Sequence, residues 1–174
     1  MYWLLPFNWG FALWDEFLGL SAPVADELTT RDADAAADLH AAAFREGWTG
    51  DDFAALLSQD GVFGFLVRRP GASRAAPLGI VLARLAADEA EILTIVVDRA
   101  QRGRGVGRML MDQVLQRLHR ERATSLFLEV EEENRPALAL YKRLRFEEVG
   151  RRPAYYAGEN GQRTAALILK RSLA

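Results

Sequence analysis

Apolar positions come in short blocks along the chain, and the spacing inside each block sets the element it predicts. Residues 24–30 read as a short first strand. Thr30 or Asp32 is placed to cap a helix running to about Phe44, and Thr49 to cap a second, with Phe53, Leu56 and Leu57 on its apolar side. Residues 62–69 (VFGFLVRR) and 78–86 (LGIVLARLA) predict two antiparallel strands, joined by a loop of Pro70, Gly71, Ala72 and Ser73. The β-branched run 90–97 (AEILTIVV) predicts another strand. A helix from about Gly105 to His119 follows, with Leu110, Val114 and Leu118 on one face, and then a strand over 124–131. Asn134 can cap a further helix, tolerant of Pro136 in its first turn, whose apolar side carries Leu140, Tyr141 and Leu144. Two final strands, near 146–152 and 163–170, are joined across Asn160-Gly161, a strong turn signal.

This order predicts an α/β fold with a mixed sheet, and the strand–helix–strand unit from 90 to 131 is expected to be parallel and right-handed. A chain of 174 residues suits one domain, expected over 24–174, and no repeat or long linker divides it. Residues 1–23 form an aromatic N-terminal extension: Tyr2, Trp3, Phe7, Trp9, Phe11, Trp14 and Phe17 crowd into it. Asp15 and Glu16 interrupt its apolar run and no basic segment precedes it, which argues against a signal peptide or a membrane span. The expectation is an extension packed on the domain. A partner-docking or membrane-surface helix is the sharper alternative, and a misassigned upstream start codon a third.

Composition narrows the chemistry. The net charge of −2 argues against a nucleic-acid binder working through a broad basic surface. The absence of cysteine excludes disulfides, thiolate catalysis and thiolate metal sites, and suits a reducing cytoplasm. The two histidines, His40 and His119, are too few for a histidine zinc site, so no metal is expected.

The segment Gln101-Arg102-Gly103-Arg104-Gly105-Val106-Gly107-Arg108 lies between a buried-looking strand and a helix. Glycines let backbone N–H groups approach a ligand closely, the helix start adds unpaired donors, and three arginines add charge, which together suit a pyrophosphate. A solvated basic turn is the plain alternative. No Lys-Ser or Lys-Thr follows, so this is no Walker A loop, and Arg108 and Leu110 stand where G-x-G-x-x-G needs its last glycine. What fits is R-x-x-G-x-G over Arg102 to Gly107. It resembles the CoA-pyrophosphate loop of the GCN5-related N-acetyltransferases, and Leu93 to Asp98 resembles that family's fourth strand. The resemblance implies the family fold, a central mixed twisted sheet of about seven strands flanked by four helices. It implies acetyl-CoA as co-substrate, with the pantetheine arm hydrogen-bonded to the backbone of Ile95, Val96 and Val97 and the pyrophosphate at residues 102–108.

Within the family, Leu128-Glu129-Val130, Asn134, Ala139-Leu140-Tyr141, Phe146 and Tyr155-Tyr156 look like the pattern of the bacterial ribosomal-protein-alanine acetyltransferases. That likeness implies Glu129 as general base, Tyr141 as general acid and Asn134 as a holder of the CoA arm. It also implies Trp48, Tyr155 and Tyr156 at the acceptor, a protein N-terminus. By pattern alone Glu129 could be a solvent-facing strand residue, Tyr141 a core tyrosine, Asn134 a helix cap, and Glu131, Glu132 and Glu133 a solvated charge run. The chain departs from the family at Leu144-Arg145-Phe146, where a glycine is usual before the phenylalanine, so Arg145 is expected to carry left-handed strain or shift the turn. The expected reaction is acetylation of a protein's α-amine. The alternatives are a lysine or small-amine acetyltransferase, and a non-catalytic acyl-CoA-binding regulator.

Overall fold

The computed structural model describes residues 22–71, 76–157 and 163–173. Most of the aromatic N-terminal stretch, Ala72 and Ser73 of the first loop, and the Asn160-Gly161 turn lie outside the described residues. The elements are β1 (Val24–Glu27), α1 (Ala33–Ala41), α2 (Gly50–Leu57), β2 (Val62–Arg68), β3 (Gly79–Ala86), β4 (Glu89–Val97), α3 (Val106–Arg120), β5 (Ser125–Glu131), α4 (Arg135–Arg143), β6 (Glu147–Ala157) and β7 (Arg163–Ser172). Seven strands form one sheet in the order β1-β2-β3-β4-β5-β7-β6, antiparallel throughout except for β4 against β5. Among the described residues this is the expected mixed sheet with four α-helices.

The first helix differs from the expectation. Neither Thr30 nor Asp32 caps it by a side-chain bond. The Thr29 N–H and hydroxyl donate to Asp32 Oδ2 at 3.0 and 2.8 Å, closing a short 3-10 turn over Thr30–Asp32. The helix proper starts at Ala33 and stops at Ala41, short of Phe44. The second helix begins as expected: Thr49 Oγ1 accepts from Asp52 N at 3.2 Å, and Thr49 N donates to Asp52 Oδ2 at 2.8 Å. That reciprocal pair satisfies donors a helix start would otherwise leave open.

Two hydrophobic layers hold the sheet. On one face α3 buries Leu110, Met111, Val114 and Leu118 against Val81, Ala83, Leu126, Leu128 and Val130. On the other, Ala36 and Leu39 of α1 and Phe53 of α2 pack on Leu66, Ile80, Leu82 and Val96. Full burial of one such large side chain contributes about 1.5–3 kcal/mol. The second layer draws its described residues from the β1–β4 half, so α1 and α2 leave the β5–β7 half of that face open.

One irregularity shapes the middle of the sheet. Leu82 pairs with Thr94 but Ala83 with Ile92, so Leu93 is the extra residue of a β-bulge in β4. A bulge bends its strand and strengthens the local twist. The parallel pairing of β4 with β5 covers Glu89↔Ser125, Ala90↔Leu126 and Glu91↔Phe127, and ends there. Beyond it β4 stays with β3 and β5 stays with β7, so a wedge opens between Ile92–Val97 and Leu128–Glu131.

Candidate active site

Among the described residues, no strand lies beside the β5-facing edge of β4 past Glu91. Backbone N–H and C=O groups in that position need partners, and an extended ligand can supply them. Ile92, Ile95 and Val97 lie on the α3 side of β4, whereas Leu93 and Val96 face α1 and α2. Val96 is 4% exposed, so its side chain is core and only its backbone can serve a ligand.

β4 leads into the glycine-rich loop. Asp98 Oδ1 accepts from Ala100 N at 2.9 Å and fixes a 3-10 turn over Arg99–Gln101. Gly103 and Gly105 then take φ of 74° and 86°. A Cβ on either would meet nothing within 4 Å, so these glycines serve the left-handed backbone and front open space. Gly105 is the N-cap of α3 and offers no side-chain cap, which leaves the first N–H groups of that helix uncapped. Gly107 has a different task. A Cβ there would lie 3.3 Å from Leu140 Cδ2 and 3.6 Å from Val97 Cγ2, so its bareness lets α3 approach α4 and β4. Val106 is 2% exposed and contributes its side chain to the core.

The three arginines diverge. Arg102 Nε donates to Val97 O at 3.4 Å, folding back on the end of β4, and Arg104 is exposed. Arg108 Nε donates to both Asp112 carboxylate oxygens at 2.8 and 2.9 Å, which aligns it along α3. It lines an open groove of about 740 Å³ with Arg145 and Arg171. Burial first, and then the guanidinium charges of Arg145 and Arg108, lower the pKa of Arg171.

Glu129 lies on β5 among Leu126, Leu128 and Val130, whose burial against α3 turns Glu129 to the opposite face, where α1 and α2 do not reach. Arg152 of β6 reaches across β7 and pairs with Glu129 Oε1 at 3.0 Å. The neighbouring glutamates are more engaged than a solvated run. Thr164 Oγ1 donates to Glu131 Oε1 at 2.6 Å, Ala165 N donates to Glu132 Oε1 at 3.0 Å, and Arg151 pairs with Glu132. Asn134 caps α4, its Oδ1 accepting from Ala137 N at 3.2 Å.

Tyr141 is 4% exposed, with its ring centroid 5.6 Å from that of Phe146. A chain reversal sets this contact: Phe146 N donates to Tyr141 O and Arg145 N to Lys142 O, both at 3.0 Å, which is a Schellman ending. Arg145 holds φ 61°, the left-handed strain expected of it.

Trp48 is half-buried between α1 and α2. Its ring stacks on His40 at 4.9 Å and 13°, and its backbone N–H donates to His40 Nδ1 at 3.0 Å. Tyr155 and Tyr156 fall in β6, where Tyr156 pairs with Thr164, and their side chains lie outside the described residues. Three residues escaped the sequence reading. Arg152 acts through Glu129 on another strand, and His40 through Phe44, Trp48 and Phe53 across the turn between α1 and α2, which no motif marks. Thr94 sits inside a continuous apolar run that hides its burial. Among the described residues, no group of three His, Cys, Asp or Glu side chains is arranged to hold a metal ion.

The arrangement thus joins an open strand edge, a loop with exposed N–H donors and a carboxylate on the uncovered face. Comparison with known proteins agrees with it. The profile of the acetyltransferase (GNAT) family matches residues 33–146. A ribosomal protein bS18-alanine N-acetyltransferase from Salmonella typhimurium is 37% identical over 81 residues, 47% of this chain and 55% of that one. The N-alpha-acetyltransferase RimI of Mycobacterium tuberculosis is 41% identical over 93 residues, 53% of this chain and 52% of that one. These matches span about half the length of either relative. The crystal structure of the ribosomal-protein-S18-alanine N-acetyltransferase from Escherichia coli superimposes with a TM-score of 0.79 at 27% identity, covering 88% of this chain and 95% of that one.

Proposed function

This chain belongs to the acetyltransferase (GNAT) family, and from that premise we propose that it acetylates the N-terminal α-amine of a protein, with an alanine-starting ribosomal protein as the acceptor. Its membership makes it an N-acetyltransferase that draws on acetyl-CoA. The observation that carries the reading is the wedge between β4 and β5, which runs from the uncapped start of α3 to the face that bears Glu129. The names of the two partly matching relatives and of the superimposed structure favour an α-amine over other acceptors.

In this reading the β4 edge binds the pantetheine arm through the backbone of Ile95, Val96 and Val97, and the N–H groups of residues 103–107 take the pyrophosphate. Arg102, Arg104 and Arg108 add charge around it, and Asn134 steadies the arm where α4 begins. Acetyl-CoA supplies an activated thioester carbonyl. An amine attacks only when unprotonated, and Glu129, directly or through a water, takes the proton it sheds as the N–C bond forms. Backbone N–H groups of β4 oppose the charge that develops on the carbonyl oxygen. Tyr141 gives a proton to the sulfur as the C–S bond breaks. Trp48, Tyr155 and Tyr156 wall the acceptor side, and the setting is cytoplasmic. Among the described residues, no helix is long and apolar enough to cross a membrane.

An α-amine has a pKa of about 7.7–8.0 against about 10.4 for lysine, so far more of it is ready to attack at neutral pH. An alanine-starting peptide is therefore expected to be acetylated faster than the same peptide blocked at its N-terminus and carrying one free lysine. Mass spectrometry of the two products, with a polyamine as third acceptor, decides the matter. Equal or reversed rates transfer the chain to the lysine or small-amine class. Acetyl-CoA binding without turnover on any amine makes it a regulator.

A further inference from the structure

Thr94 carries a buried hydroxyl on the strand that borders the wedge. It is 7% exposed, and among the described residues its Oγ1 has no hydrogen-bond partner. Such a group costs stability, and a valine of nearly the same shape would avoid that cost. Native structures keep orphaned buried polar groups where a ligand or a water completes them.

The position of Thr94 says what that ligand would be. The residue directly follows the bulge at Leu93, on the strand that borders the wedge. Strand alternation puts it on the same side as Val96, the side of α1 and α2. Glu129 faces that side too, because Leu128 and Val130 face α3. Counting forward from the last β4–β5 pair, Glu91↔Phe127, and allowing one residue for the bulge, brings Thr94 level with Glu129 across the gap. One wall of the wedge thus presents a carboxylate and the other an unpaired hydroxyl at the same height.

We propose that Thr94 Oγ1 accepts a hydrogen bond from the attacking amine and holds its nitrogen between β4 and Glu129. The inference rests on the reading of Glu129 as the base. A neutral primary amine carries two N–H groups and one lone pair. The lone pair must point at the thioester carbon, and one N–H points to Glu129, or to a water on it. The second N–H needs an acceptor on the opposite side, and Thr94 provides one. As the N–C bond forms and the C–S bond breaks, the first proton leaves to Glu129. The second stays on nitrogen, bonded to Thr94, and becomes the N–H of the product amide. An N-methylated amine would set a methyl group against Thr94, so this contact also selects primary amines.

The test uses Thr94→Val and Thr94→Ser in the full chain, with an alanine-starting peptide and its N-methyl-alanine counterpart. Thr94→Val is expected to keep or raise the melting temperature and to bind acetyl-CoA in calorimetry within about twofold of the wild type. It is also expected to lose about tenfold or more in kcat/KM on the primary amine. Its preference for the primary over the N-methyl peptide shrinks, and Thr94→Ser restores both properties. A Thr94→Val enzyme with unchanged kcat/KM and unchanged preference overturns the proposal. If the wild type prefers a lysine amine, the α-amine reading falls, and the same comparison on lysine and N-methyl-lysine still decides the role of Thr94.

Discussion

Glu129 and Tyr141 occupy opposite environments. Glu129 sits on an open face with its pair to Arg152, at side-chain exposures of 32% and 54%. Tyr141 is locked by the reversal at Arg145 and by Phe146. Exposed ion pairs contribute about 0–1 kcal/mol, so Glu129→Gln is expected to leave folding nearly untouched. Its cost appears in catalysis, on the order of 10²–10⁴ in rate for a lost general base. That deficit should shrink as pH rises, because hydroxide then takes over removal of the proton that the attacking amine sheds. Tyr141→Phe removes only the hydroxyl, and its deficit should persist at high pH, because the departing sulfur gains no easier proton there. Rate profiles of the two variants against pH check this. Parallel profiles, or near-normal turnover in both, would mean that neither residue handles a proton. Arg145 shows how a single position can be read in advance: a non-glycine residue at a helix ending that favours glycine had to take positive φ or move the turn, and it took positive φ.

Among the elements, the α1–α2 pair depends on a histidine that no motif marks. His40 is 4% exposed, lies 4.4 Å from Phe44 and 5.6 Å from Phe53 between ring centroids, and accepts the Trp48 N–H through Nδ1. An accepting Nδ1 requires the neutral ring with its proton on Nε2. Burial lowers the His40 pKa below its ordinary 6.5. The unfolded chain therefore binds more protons in the window below 6.5, and the contribution of His40 to stability is complete above that value and lost as pH falls through the depressed one. Asp52, whose pKa is held below its ordinary 3.8 chiefly by the Thr49 backbone bond, loses its contribution only in much stronger acid. Chemical denaturation at pH values just below 6.5 should show stability rising with pH, and His40→Asn, which keeps an acceptor but cannot titrate, should flatten that slope. An identical slope in that variant would remove His40 from the account.

The same elements show what the sequence could carry. Thr49 announced α2 because capping is a local bond, which Asp52 completes. Thr29-x-x-Asp32 makes a similar bond, but it closes only a 3-10 turn and shifts the start of α1. β6 runs to Ala157, well past the expected end near 152. Pro153 does not end the strand, because β6 is an edge strand and its register shifts between Arg152 and Tyr156, where a residue without an N–H is tolerated.

At the scale of the molecule, the order of elements and the loop before α3 were legible because each is written in consecutive residues. The wedge was not, since Ile92-Leu93-Thr94-Ile95 reads as an unbroken strand and the bulge at Leu93 shows only against β3. Thr94 and Arg152 were invisible for that reason: both depend on which strands lie side by side. The wedge has a consequence beyond chemistry. Strand pairing between the β1–β4 half and the β5–β7 half covers three residue pairs, with the Thr124 N–H donating to Asp88 O just before them. A co-substrate lying along β4 would act as the absent rungs of this ladder. In deuterated water the amides of Ile92–Val97 that face the gap should exchange quickly in the free protein and slowly once acetyl-CoA is added, with residues 125–131 gaining protection in step. Exchange that is indifferent to acetyl-CoA would mean that the ligand lies elsewhere. Slowed exchange on both strands would make the small molecule a temporary strand, so that the sheet is mechanically whole only while the enzyme is loaded.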